Sequence, residues 1–195
     1  LSTAGIRNYS KTSDFLSGNA PVSFATGFDL LETTNISTDT SSVTFSGLDA
    51  YSDYKHLQIR TVTKGNAANF GNSRIELTFN GVTSGYSRHR LEGDGSSVSS
   101  SGLASSPRID LSDATAETNA SYVGVFGASI TDILDFSNPY KNTTVRSLTG
   151  SNMQNKSINL NSGSYPALTA VTSLTLTKGN GDFVSGSRFS LYGSK

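Results

Sequence analysis

The residues best suited to chemistry are two histidines, His56 in Tyr54-Lys55-His56-Leu57 and His89 in Arg88-His89-Arg90. A Ser-His-Asp hydrolase needs one of them as a general base held beside a serine and oriented by a carboxylate. Neither has a supporting motif, and no Gly-x-Ser-x-Gly elbow follows a strand. The adjacent lysine and arginines disfavour a protonated imidazole, so both histidines read as strand-face or contact residues. Two acid pairs, Asp132 with Asp135 and Glu92 with Asp94, lie close enough in sequence to hold carboxyls at the roughly 5–10 Å that glycoside hydrolysis uses. Turn and salt-bridge roles are the simpler reading. Asp94, or Asn180 with Asp182, supplies only a fragment of a calcium loop. With no cysteine, thiolate metal sites, disulfides and thiol nucleophiles are excluded. The expectation is no enzyme activity, no cofactor and no metal.

Binding chemistry is better supplied. Arg88 and Arg90 flank His89 on an expected strand, so the two guanidinium groups share one face and could meet carboxylates across an interface; a solvated face is the alternative. Lys141 with Arg146, and Arg188, are weaker candidates of the same kind. Tyr86, Tyr122, Tyr140 and Tyr165 could stack on sugar rings in the absence of tryptophan, or fill a core. Fifteen basic residues balance 15 acidic ones, leaving no field to attract phosphates, so nucleic acid is not an expected partner. The most apolar stretch, Tyr122 to Ile130, is far below the roughly 20 residues of a membrane span, so no membrane partner and a soluble chain are expected.

The elements that must position these residues are strands. Ser (34), Thr (22), Asn (15) and Gly (19) make up nearly half of the 195 residues, while 18 Phe and Tyr remain for a core. That composition argues against a helical bundle and for a thin-cored, hydroxyl-coated β-domain. Val43 and Phe45; Leu57, Ile59 and Thr61; and Ile75, Leu77 and Phe79 alternate in the period of half-buried strands. Further runs cover residues 122–133, 143–148, 157–160, 171–177 and 183–192, with turns at 137–139, 162–163 and 179–182. Asp49 to Tyr54 suits one helical turn, and the serine-rich segment Gly93 to Ser106 suits a long flexible loop. About eight to ten strands without helical periodicity predict an all-β fold, an antiparallel β-sandwich of jelly-roll type over residues 27–195. Residues 1–26 are polar and carry isolated apolar side chains, Ile6, Phe15, Leu16, Val22 and Phe24, which predicts an extended N-terminal arm. Such an arm gains order by burying those anchors on a neighbouring subunit. Interface candidates are therefore Ile6, Phe15, Leu16, Phe24, Arg88, His89 and Arg90.

Four stretches carry a resemblance: Ser46 to Arg60 (SGLDAYSDYKHLQIR), Ser87 to Ser101 (SRHRLEGDGSSVSSS), Phe126 to Gly150 (FGASITDILDFSNPYKNTTVRSLTG) and Ser185 to Lys195 (SGSRFSLYGSK). By their order and spacing the chain, from about Phe28 to Lys195, resembles small virion structural proteins of tailed bacteriophages of marine bacteria, cyanophages among them. Similar proteins carry an apolar residue where this chain has Ser194, and the arm falls outside the likeness. The resemblance implies a β-sandwich on the outer surface of the virion, without enzyme activity or cofactor. Two placements follow. A capsid decoration or cement protein would sit on the major capsid protein or other virion subunits, often as a homotrimer, with the arm tying neighbours together. A tail-fibre module would touch a host surface glycan through its loops. Small size and the lack of heptads or fibre repeats favour decoration. A free carbohydrate-binding module is the reading outside the phage class.

Overall fold

The computed structural model describes residues 27–67, 74–112, 124–150 and 158–195. Candidate arm residues Ile6, Phe15, Leu16 and Phe24, and Tyr122, lie outside them. The described chain forms twelve strands: β1 (Asp29–Asn35), β2 (Ser42–Ser46), β3 (His56–Thr63), β4 (Ile75–Phe79), β5 (Tyr86–Gly93), β6 (Val98–Ser106), β7 (Ile109–Ser112), β8 (Gly127–Leu134), β9 (Thr144–Gly150), β10 (Ile158–Ser164), β11 (Ser173–Lys178) and β12 (Arg188–Ser194). A single 3-10 turn, Leu48–Tyr51, precedes β3. The protein is all-β with two antiparallel sheets. One has eight strands in the order β1-β12-β3-β8-β9-β10-β5-β6, the other four in the order β2-β11-β4-β7. No described helix is long and apolar enough to cross a membrane.

The alternating apolar residues become the contact between the sheets. Val43 and Phe45, Ile75, Leu77 and Phe79, and Leu174 and Leu176 face Leu57 and Ile59, Ile133, Val145, Phe189 and Leu191, all within one buried cluster. Each such side chain contributes about 1.5–3 kcal/mol on leaving water. Phe183 and Phe189 meet edge to face at 4.9 Å between centroids, and Phe79 and Tyr165 at 5.4 Å. Tyr86 is the polar exception that the core satisfies. Its hydroxyl accepts from the Phe79 N–H at 2.8 Å and donates to the Val82 carbonyl at 3.0 Å, closing the β4–β5 turn, and burial pushes its pKa up to about 12.

Three expectations differ from the structure. The serine-rich stretch placed in a flexible loop is instead β6, which pairs with β5 along most of its length and leaves only a tight turn at residues 94–97. An edge strand buries little, so its sequence needs no apolar alternation, and backbone pairing on one side suffices. Ser162-Gly163, expected as a turn, lies inside β10. Gly163 is there because β7 crosses close by: a Cβ at this position would stand 2.8 Å from Ile109 Cγ2 and from the Ser87 carbonyl oxygen. The strand count exceeds eight to ten because the hairpins β5–β6 and β9–β10 widen the large sheet.

Candidate functional site

The alternation of β5 sets the geometry around the Arg-His-Arg motif. Arg88 and Arg90 project on one side, toward the small sheet, and His89 on the other. The carboxylate that Arg88 meets belongs to this same chain. Asp110, on the edge strand β7, receives Arg88 in a close ion pair and Arg74 at 3.0 Å; Arg108 reaches Glu76 at 2.8 Å and Asp110 at 3.7 Å. Asp110 and Glu76 face each other across the β4–β7 pair. Burial raises the Glu76 pKa, against the pull of Arg108. Three arginines and two carboxylates thus cap an edge that would otherwise offer free backbone groups to another strand. Arg90 pairs with Glu92, its neighbour on the same side of β5. Between this network and the overhanging β6 lies a cleft of about 260 Å³ bordered by Arg88, Arg90, Ser101, Leu103 and Asp110.

On the outer side the His89 imidazole lies over Gly102, where a Cβ would come within 2.7 Å of its Cδ2. A shallow hollow of about 980 Å³ opens there, bordered by His89, Leu91, Ser100, Arg146, Leu160 and Ser162. Strand register carries this surface across the sheet. Ile130, Leu148, Leu160 and Leu91 are successive cross-strand partners over β8, β9, β10 and β5. The next row holds Val62, Ala128, Gly150, Ile158, Gly93 and Val98, and the row on the other side holds Gln58, Asp132, Arg146, Ser162, His89 and Gly102. In that polar row Asp132 accepts from Gln58 at 2.7 Å and from Arg146 at 2.8 Å.

The other candidates have local roles. His56 Nδ1 accepts the Asp135 N–H at 3.0 Å, and Asp135 takes Lys141 at 2.8 Å, a bond that lowers its pKa. Asp132 and Asp135 therefore serve separate partners. Asp94 accepts the backbone N–H groups of Ser96 and Ser97, which holds its carboxyl far below the usual range and closes the β5–β6 turn. Arg188 lies opposite Val62 at the start of β12, and the Asp182 N–H donates to Asn66 Oδ1 at 2.7 Å. Tyr86 and Tyr165 are core residues and Tyr140 is exposed, so these three tyrosines form no common platform. Among the described residues no three of His, Asp and Glu gather in the manner of a metal site.

Sequence reasoning found the shared face of Arg88 and Arg90 but not the outer apolar rows. The signal was present in β9, where Val145, Ser147 and Thr149 alternate with Thr144, Arg146 and Leu148. Neither set is apolar enough to reveal which one faces the core. No known protein family, curated protein or solved structure matches this chain.

Proposed function

We propose that the chain is a structural subunit of a bacteriophage particle, a decoration or cement protein on the outer surface of the head, with no enzymatic role. The observation that carries this reading is the strand pairing. With the two inserted hairpins set aside, the remaining eight strands pair first with last: β1 with β12, β2 with β11, β3 with β8, β4 with β7. Such pairing is what a single long hairpin makes when it is rolled into two sheets. This supports a jelly roll, an architecture that recurs in viral capsid and lectin domains. The resemblance to phage virion proteins favours the first of these. On this reading the major capsid protein is the partner, residues 1–26 are the tether, and the subunit acts as a homo-oligomer.

A second reading, a tail-fibre or free module that binds host surface glycans, is favoured by the hollow beside His89, where Arg146, Ser100 and Ser162 offer donors. It is weakened by that hollow's lack of any Tyr or Phe to stack on a sugar, and by the pairing of the segment once expected to be a mobile loop. Gold-labelled antibody microscopy of purified virions separates the two. Label over the head is the expected result. Label on the tail would transfer the role to the hollow and its rim, and unlabelled particles would refute both virion placements.

A further inference from the structure

The outer face of the eight-stranded sheet is built to be covered. Seven side chains stand open on it in adjoining rows: Val98 at 76% exposure, Ile158 at 67%, Leu148 at 55%, Leu160 at 51%, Leu91 at 49%, Ile130 at 48% and Val62 at 37%. A soluble single chain rarely leaves a contiguous apolar patch larger than a few hundred Å².

The opposite face of the same strands has the reverse chemistry. Ser129, Thr131, Ser147, Thr149, Asn159 and Asn161 are buried against the interior. Thr61 pairs with Ser129 at 2.6 Å and Thr131 with Ser147 at 2.8 Å, while Asn161 donates to the Leu111 carbonyl at 2.8 Å. A one-sided sheet places its apolar set inward and its hydroxyls in water. Strands β8, β9 and β10 do the opposite over this stretch, as suits strands covered on both faces.

We infer that this face, centred on Leu148 and Leu160, is where copies of the chain meet. The area fits, since the seven side chains leave on the order of 700 Å² open, close to the about 800 Å² that each partner gives to a standard interface. The polar row on one side of the apolar rows pairs Asp132 with Arg146 in a 2.8 Å contact. On the β3 side the surface is bordered by Arg60, the cross-strand partner of Ile130, which lies over the Tyr192 ring at 4.3 Å, and by Arg188, the partner of Val62. A second copy brings the same apolar rows and the same acid and base together. This inference does not depend on the virion role.

Sedimentation velocity and light scattering on the full-length chain test it without any particle. The expected result is a mass that is a multiple of 20.5 kDa. Leu148→Glu should reduce that mass to one chain, with an unchanged far-ultraviolet strand spectrum because the side chain points out of the core. Ile158→Asn, at a more exposed position and without added charge, should do the same and serves if the glutamate variant fails to fold. A monomeric wild-type chain would overturn the inference, as would an oligomer whose mass both folded variants leave unchanged. Neither result bears on where antibody labels the virion.

Discussion

Asp110 holds the largest concentration of charge in the described structure. It is 6% exposed yet meets Arg74 and Arg88 directly and has Arg108 nearby. Removing its carboxylate takes an ion-pair partner from Arg74 and from Arg88, each less than a third exposed, and leaves their positive charge less compensated. Breaking a buried pair this way costs about 3 kcal/mol, so Asp110→Ala should lower the urea midpoint markedly, and Asp110→Asn, which keeps an acceptor, should lower it less. Because the pair is shielded, the loss should persist in added salt. A midpoint equal to that of the wild type would mean that the arginines do not depend on this carboxylate. The motif Arg88-His89-Arg90 was legible as two guanidinium groups on one face. Their partner was not, because Asp110 is 22 residues away on a strand of only four residues whose pairing no local pattern announces.

At the level of the element, the strongly alternating strands were the readable ones. β2, β3 and β4 each bury one apolar set, and the structure places those sets in the core. The hairpins β5–β6 and β9–β10 were harder to read. β6 is exposed along all but its last residue and is chosen by backbone pairing, while β10 spends its inward positions on Asn159, Asn161 and Gly163. Period-two alternation of hydrophobicity therefore loses its meaning where hydroxyls and amides point inward. Gly163 tests whether β7 and β10 fit as tightly as their spacing indicates. Gly163→Ala puts a methyl carbon into Ile109 and into the Ser87 carbonyl, both at 2.8 Å, and backbone cannot yield as a flexible side chain can. Overpacking of this kind costs about 1–3 kcal/mol, to be read as a lowered denaturation midpoint with an unchanged slope. An alanine variant as stable as the wild type would show that β7 lies off β10 without loss.

For the whole molecule, the question is how a small domain with no disulfide and much of its surface in Ser and Thr could hold a particle together. One arm cannot do it alone. Ordering a residue costs about 1–2 kcal/mol, so fixing all of residues 1–26 would outweigh the roughly 1.5–3 kcal/mol that each of Ile6, Phe15, Leu16 and Phe24 returns on burial. On the proposed role the arm docks through short segments around those anchors, each too weak to act singly. Joining subunits through the outer sheet face presents several arms at once, and linked sites of this kind exceed the single affinity by about 10²–10⁴-fold. Two losses should therefore differ both on the particle and in solution. Deleting residues 1–26 removes the docking element and should abolish binding to undecorated heads while the deleted chain keeps its strand spectrum and its oligomeric mass. Leu148→Glu keeps one arm per chain and should weaken binding by about 10²–10⁴-fold while reducing the mass to one chain. Co-sedimentation of each variant with heads at matched concentration measures both, and full binding by the deleted chain would remove the arm from the mechanism and move attachment to the sandwich itself.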